Sequence, residues 1–194
     1  MKPVIGVFGG TFDPPHHGHL QVGRFVSSTR RLEKILYIVA NDPWQKTEKT
    51  GITDVSDRLA MVELLLANDN NLVASDLEIV LGGESVTAQT LESLQSIYPN
   101  SDLELILGYD AALGIESWRE YERIYEFSQI VVVDRPGQLR DLPDFFDRAS
   151  RITGPYLDIS SAEIRERLKN GSEIGSLLPD QVESYILENS IYGD

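Results

Sequence analysis

The residues best suited to chemistry lie near the start of the chain, in the run GGTFDPPHHGH at positions 9–19. This run contains all three histidines of a chain of 194 residues, and it directly follows the apolar stretch from Val4 to Phe8. Glycines let a backbone approach a ligand closely, a threonine adds a hydroxyl, and the amides that open a following helix attract negative charge. Phosphate is the ligand that this combination favours.

His16 and His19 are the histidines with the more useful spacing. They are three residues apart, so they share one face of a helix that begins at this point, and Gly18 lets that helix start close to the loop. We therefore expect both imidazoles to bind phosphate. His17 projects elsewhere on the same turn and is expected to be a bystander. Because imidazole is also a common metal ligand, a histidine metal-binding protein remains an alternative at this point.

A second candidate phosphate site lies near the other end of the chain, where the sequence reads ISSAEIR at positions 159–165. Ser160 and Glu163 have the spacing of a capping box, which predicts a helix beginning here. Ser161 and Arg165 are four residues apart and share one helical face. A helix N-terminus with a hydroxyl and a guanidinium beside it can bind a polyphosphate, although an ordinary capped helix with a surface arginine has the same pattern.

The elements that must position these residues alternate along the chain. Short apolar and often β-branched runs predict strands at Val4–Phe8, Lys34–Val39, Leu72–Ser75, Leu103–Leu107 and Gln129–Val133. Amphipathic spacing predicts helices at Asp54–Asn68, capped by Thr53 or Asp54, and at Ser85–Ile97, Glu120–Phe127, Leu142–Ser150 and Asp180–Glu188.

This alternation predicts an α/β fold, a Rossmann-like doubly wound parallel sheet with a small C-terminal helical extension. We expect residues 1–194 to form a single domain, with the helical part at about 160–194. Ligands of such folds bind at the carboxyl ends of the strands, and the run at positions 9–19 lies at that end of the first strand.

Composition excludes several classes of function. The chain has no cysteine, which excludes a disulfide framework, a thiolate nucleophile and a cysteine-based zinc site. Its formal charge of −14 repels nucleic acid and anionic lipid, so neither is an expected partner. We expect a cytoplasmic protein without a signal peptide or membrane span, and the sequence leaves open whether it is a homo-oligomer.

The two candidate phosphate motifs together resemble one known family. GGTFDPxHxGH and ISSxxIR are similar to the two signatures of nicotinate-nucleotide adenylyltransferase, a family of the nucleotidylyltransferase superfamily. The resemblance implies that His16 and His19 bind the ATP phosphates and the adenylyl transition state. It also implies that the second motif, through Ser161 and Arg165, contacts the β- and γ-phosphates.

The resemblance extends over nearly the whole chain and implies further site residues. The residues implied to contact ATP or its phosphates are Gly9, Gly10, Thr11, Phe12, Gly18, Lys46, Asp110, Arg135, Ser160, Ser161 and Arg165. Within that set, Lys46 lies in the loop Pro43-Trp44-Gln45-Lys46, Asp110 is placed to accept from a ribose hydroxyl, and Arg135 borders the adenine. Thr87 is implied to hold the nicotinate carboxylate, in addition to acting as a helix cap, and Trp118 to stack on the pyridine ring.

The implied reaction joins ATP and nicotinate mononucleotide into nicotinate adenine dinucleotide and pyrophosphate, with Mg²⁺ accompanying the nucleotide. No general base is implied, because the attacking phosphate is already largely dianionic at neutral pH. Three further alternatives to this reaction remain, in addition to the histidine metal-binding protein. They are the amidated substrate nicotinamide mononucleotide, a pantetheine-phosphate adenylyltransferase, and a non-catalytic nucleotide sensor on the same fold.

Overall fold

Six parallel strands form one sheet in the part of the chain that the structure describes. The computed structural model describes residues 2–43, 51–134, 137, 141–155 and 157–193. In chain order the strands are β1 (Val4–Gly10), β2 (Lys34–Val39), β3 (Leu72–Ser75), β4 (Asp102–Gly108), β5 (Ser128–Asp134) and β6 (Ser150–Thr153). Across the sheet their order is β3-β2-β1-β4-β5-β6, and every neighbouring pair is parallel. This is the doubly wound order of Rossmann-like folds, so the predicted fold class is confirmed.

Helices cover both faces of the sheet. In chain order those of the described residues are α1 (His17–Thr29), α2 (Val55–Leu66), α3 (Leu77–Leu81), α4 (Thr87–Ile97), α5 (Tyr109–Leu113), α6 (Ile124–Phe127), α7 (Ser161–Lys169) and α8 (Asp180–Glu188). None of them is long and apolar enough to span a bilayer, a finding that covers the described ranges only.

The hydrophobic core consists of two layers, one on each face of the sheet. Successive side chains of a strand point to opposite faces, so β1 contributes Val7 to one layer and Phe8 to the other. The layer that contains Phe8 includes α1, α2, α7 and α8, through Val26, Met61, Ile164 and Val182. The layer that contains Val7 includes α4, α5 and α6, through Leu91, Ala112 and Ile124. The two C-terminal helices are therefore part of the main core.

The five predicted strands and the helices α2, α4, α7 and α8 are confirmed, and Asp54 is the N-cap of α2. The predicted helix Leu142–Ser150 is wrong. A single 3-10 turn occupies Asp144–Phe146 and the chain then enters β6. β6 is an edge strand with alternating half-buried and exposed residues, so it lacks the apolar run that marks the inner strands.

The predicted helix Glu120–Phe127 is interrupted rather than continuous. Glu120 has a φ of 55°, which is incompatible with a helical interior, and a 3-10 turn at Tyr121–Arg123 precedes α6. The strand order reverses between β1 and β4, where the sheet leaves a crevice at the carboxyl ends of its strands. The glycine and histidine motif at positions 9–19 follows β1 at this crevice.

Candidate active site

β1 ends in two glycines with different surroundings. A Cβ on Gly10 would lie 2.9 Å from the ring of Phe12, whereas a Cβ on Gly9 would meet no atom within 4 Å. Packing therefore requires glycine at position 10, while Gly9 faces open space where a ligand can approach the backbone. Phe12 has a φ of 51° and is buried, with its ring 5.0 Å from that of His19. The side chain of Phe12 belongs to the hydrophobic core, in the layer that contains Phe8.

His16 and His19 form a reciprocal cap at the start of α1. Nδ1 of His16 accepts a hydrogen bond from the N–H of Gly18 at 3.1 Å, and Nδ1 of His19 accepts one from the N–H of His16 at 3.2 Å. The ring centroids are 3.8 Å apart. Since each Nδ1 is an acceptor, a neutral ring carries its proton on Nε2, which makes Nε2 the donor of both histidines. The prediction that the two rings share a face is confirmed.

The neutral form of His16 is favoured by its surroundings. The residue is only 6% exposed, and this burial lowers its pKa to about 4, with the neighbouring His17 acting in the same direction. At neutral pH His16 is therefore an uncharged Nε2–H donor. A Cβ on Gly18 would lie 2.9 Å from the His16 ring, so glycine at position 18 is what allows the ring to fold over the start of the helix.

The second predicted motif packs against the first. Ser160 caps α7, because its Oγ accepts from the N–H of Glu163 at 3.1 Å. The Oγ of Ser161 donates to the carbonyl of Pro14 at 2.8 Å, and Nη1 of Arg165 donates to the carbonyl of Asp13 at 2.6 Å. The structure thus brings the motifs together across 147 and 152 residues. In this state the Ser161 hydroxyl and one N–H of Arg165 hold the loop between β1 and α1.

Two residues that the sequence reasoning missed hold the same loop from other sides. The hydroxyl of Tyr192 donates to Oδ1 of the buried Asp13 at 2.5 Å. Arg58 is fully buried, and its guanidinium donates to the carbonyls of Thr11 and Ala40 at 2.9 and 2.7 Å. Burial lowers the pKa of Arg58, while the nearby Asp13 carboxylate opposes that shift.

Only one of these two residues could have been recognised from a sequence pattern. Arg58 falls on the same face of α2 as the buried residues Met61, Val62 and Leu65, and a lone arginine on an apolar face is a signal that could have found it. Tyr192 is 179 residues from Asp13, and no local pattern connects them.

A cavity of about 280 Å³ opens beside Gly9, between the ends of β1, β2 and β4 and the start of α4. It brings together five of the predicted site residues, Gly9, Gly10, Thr11, Thr87 and Trp118. Arg119 also lines it and was missed, although it directly follows Trp118. The expectation that Thr87 caps α4 is wrong, because Val86 takes the N-cap position and Thr87 is the first helical residue.

The remaining predicted residues have different positions. Asp110 is exposed in the first turn of α5, two residues after Gly108, which lines the cavity. Lys46 and Arg135 lie outside the described residues. The site therefore consists of a histidine cluster, formed by His16, His19 and the α7 contacts, and the cavity with Thr87 and Trp118. The loop that begins at Gly9 connects the two.

Comparisons with known proteins show the family of this chain. Residues 7–167 match the cytidylyltransferase-like family. The chain is 36% identical to a probable nicotinate-nucleotide adenylyltransferase of Corynebacterium glutamicum, over 97% of this chain and 88% of that protein. The chain belongs to the nicotinate-nucleotide adenylyltransferase family. A probable nicotinate-nucleotide adenylyltransferase of Desulfitobacterium hafniense is also 36% identical, over 97% of this chain and 95% of that protein.

Solved structures of nicotinic acid mononucleotide adenylyltransferase share the fold. The Plasmodium falciparum protein complexed with APC has a TM-score of 0.80 at 22% identity, covering 99% of this chain and 98% of the other. The same enzyme complexed with NaAD has a TM-score of 0.82 at 21% identity, covering 98% and 97%. The family resemblance stated from the two sequence motifs is therefore confirmed, and the sheet order agrees with it.

Proposed function

We propose that this protein transfers the adenylyl group of ATP to nicotinate mononucleotide, releasing nicotinate adenine dinucleotide and pyrophosphate, a step of NAD biosynthesis. One observation carries the proposal. Two histidines that donate from Nε2 stand at the end of β1, next to a cavity that contains Trp118 and Thr87. The first feature suits a phosphate undergoing substitution, and the second suits an aromatic ring with an acidic substituent.

The chemistry is an in-line displacement at the α-phosphorus of ATP. An oxygen of the mononucleotide phosphate forms a bond to that phosphorus, and the bond to the bridging oxygen of the β-phosphate breaks, with its electron pair leaving on pyrophosphate. The second pKa of a phosphate monoester is ~6, so the nucleophile needs no general base at neutral pH. Catalysis consists of positioning and of stabilising charge at the α-phosphate.

The residues of the site divide this work. His16 and His19 donate from Nε2 to the α-phosphate, and the low pKa of His16 means that it does so as a neutral donor. The hydrogen bond from the N–H of Gly18 to the His16 ring keeps that ring oriented before substrate binds. Arg165 has further N–H groups beside the one that binds Asp13, and these are available to phosphate oxygens.

Other residues complete both substrate sites. The phosphates of ATP are held by Gly9, Gly10, Thr11, Phe12, Gly18, Lys46, Ser160 and Ser161. Phe12 contributes through its backbone, and Ser161 through its backbone N–H, because its hydroxyl proton is donated to the carbonyl of Pro14. Asp110 accepts from the ribose, Arg135 borders the adenine, and Trp118 stacks on the pyridine ring while Thr87 holds its carboxylate. We also propose that residues 1–194 act as one domain on small-molecule substrates, without a nucleic acid or membrane partner.

ATP enters this site with Mg²⁺. Among the described residues, no three histidine, aspartate or glutamate side chains are grouped so that they could hold a metal ion. The donor set therefore fits an ion carried mainly by phosphate oxygens and water, which is common for Mg²⁺ with nucleotides. When bound, the ion neutralises charge on the leaving pyrophosphate.

Release of pyrophosphate from ATP tests the proposal, with nicotinate mononucleotide, nicotinamide mononucleotide and phosphopantetheine assayed in parallel. We expect the fastest release with nicotinate mononucleotide. Release only with phosphopantetheine would replace the proposed substrate, and ATP binding without release from any acceptor would indicate a nucleotide sensor.

His19→Ala tests the assigned chemistry. Loss of one preorganised donor should lower kcat by about 100-fold or more. His17→Ala is the matched control, and it should change kcat by less than about threefold, as expected for a residue outside the site. Equal effects of the two variants, with the fold intact by circular dichroism, would contradict the role of His19.

A further inference from the structure

Arg119 is the only lysine or arginine among the described residues that line the cavity. Its Nη1 forms an ion pair with Oε2 of Glu84, and both side chains are exposed. The guanidinium directly follows Trp118 in the chain and shares the cavity with Thr87. A cation therefore stands at the end of the cavity that we assign to the pyridine ring.

The backbone on both sides of this ion pair is anchored. The segment before α4 is held to the end of β2, because the N–H of Ser85 donates to the carbonyl of Asp42 at 2.9 Å and Nδ2 of Asn41 donates to the carbonyl of Gly83 at 2.8 Å. The segment after Trp118 is held to α4, because Nε2 of Gln89 donates to Oε1 of Glu120 at 2.7 Å. The backbone beside Glu84 is therefore tied to the end of β2, and the residue that follows Arg119 is tied to α4 through its side chain.

Within the described lining of the cavity, the other charged residue is negative. Glu78 lines the cavity, and its Oε1 accepts from the hydroxyl of Thr90 at 2.6 Å. With a formal charge of −14 on the whole chain, a substrate carboxylate meets an unfavourable field unless a nearby cation offsets it. An uncharged carboxamide meets no such penalty, so the presence of Arg119 matters far more for an acid than for an amide.

We propose that Arg119 is the residue that selects nicotinate mononucleotide over nicotinamide mononucleotide. The inference rests on the proposed function and assigns the source of its acid specificity. The guanidinium binds the nicotinate carboxylate, and Glu84 is the counter-ion that the carboxylate displaces. An exposed ion pair contributes little to stability, so this exchange costs little. Thr87 and the helix-terminal amides of α4 assist from the start of that helix.

The test is the ratio of kcat/KM for the two mononucleotides, measured with saturating ATP. Arg119→Gln should lower kcat/KM for nicotinate mononucleotide about 10- to 100-fold, the effect of losing a hydrogen bond to a charged group. It should leave the value for nicotinamide mononucleotide within about threefold, as for a surface substitution. Arg119→Lys keeps the charge and should retain most of the preference.

Two further variants sharpen the result. Arg24→Gln breaks another exposed arginine ion pair, with Asp69, outside the cavity, and should leave the ratio unchanged. Glu84→Gln removes the competing anion and should raise kcat/KM for the acid without raising it for the amide.

Each outcome has a distinct meaning. Equal losses with both substrates in Arg119→Gln, or an unchanged ratio, would overturn the inference and leave the proposed function standing. Wild-type protein that releases no pyrophosphate with nicotinate mononucleotide would overturn the proposed function itself.

Discussion

Replacing Tyr192 by phenylalanine removes one hydrogen bond that joins the C-terminal residues to the loop between β1 and α1. The acceptor, Oδ1 of Asp13, is 2.5 Å from the phenol oxygen, and Asp13 is only 2% exposed. Burial raises the pKa of Tyr192 well above its usual value, and the Asp13 carboxylate acts in the same direction, so the hydroxyl remains a donor at any physiological pH.

The magnitude follows from these contacts. A hydrogen bond to a charged group contributes about 1.5–3 kcal/mol, and the buried oxygen of Asp13 has little water to replace it. We therefore expect the free energy of unfolding to fall by about 2 kcal/mol, which for a chain of this length lowers Tm by about 4–8 °C. The carboxylate keeps a longer contact, 3.4 Å from the N–H of Thr53 to Oδ2, which limits the loss.

Tyr185→Phe provides the matched control. Its hydroxyl donates to Oδ1 of Asp57 at 2.9 Å, so the chemistry of the lost bond is the same, but both residues are only half-buried and the bond joins α8 to α2. We expect a loss of about 1 kcal/mol or less because water can replace the phenol.

The decisive assay compares steady-state kinetics with thermal unfolding for the two variants. Asp13 precedes His16 by three residues, so loosening its side chain should displace His16 and lower kcat about 10-fold in Tyr192→Phe, with smaller changes in KM. In Tyr185→Phe we expect normal kcat. If Tyr192→Phe loses stability but keeps the kcat of wild type, the bond serves the fold alone and the positioning argument is refuted.

Two further predictions concern the glycines of β1 and the titration of His16. Gly10→Ala should lower the free energy of unfolding by about 1–3 kcal/mol through contact with the Phe12 ring, whereas Gly9→Ala should leave Tm unchanged and raise KM for the nucleotides. A larger loss of stability in Gly9→Ala than in Gly10→Ala would contradict this packing of the two glycines. The pKa of His16 is about 4 in the folded protein and 6.5 in the unfolded chain. As the pH falls, the unfolded chain therefore takes up this proton before the folded protein does. Stability is therefore complete above pH 6.5 and falls between pH 6.5 and 4, by at most about 3 kcal/mol from this group. Denaturant unfolding of wild type and His16→Asn at pH 7 and 4.5 should show the smaller loss in the variant, and equal losses would contradict the shift.

Much of the fold could be predicted because its signals are local. Inner strands such as β1 and β5 are buried on both faces and contain continuous apolar runs. α2 and α7 have side-chain caps at Asp54 and Ser160 that mark where they begin.

Elements without such signals were missed or misassigned. β6 alternates half-buried and exposed residues at the sheet edge, and α3 and α5 have five residues each, too few for a helical period to show. The turn at Glu120 depends on a left-handed φ that no residue type demands, and Gln89 of α4 holds it in place through a long-range hydrogen bond.

The sequence by itself determined which residues form the histidine cluster and how they face one another. His16 and His19 meet because a helix turn brings residues three apart together, and Ser160 caps α7 for an equally local reason. Only the tertiary structure decided what holds that cluster and what faces the cavity. Tyr192 reaches Asp13, Arg58 reaches Thr11, and Glu84 reaches Arg119 because helices on both faces of the sheet bury their apolar sides. Such contacts depend on the packing of the whole core, and no spacing along the chain encodes them.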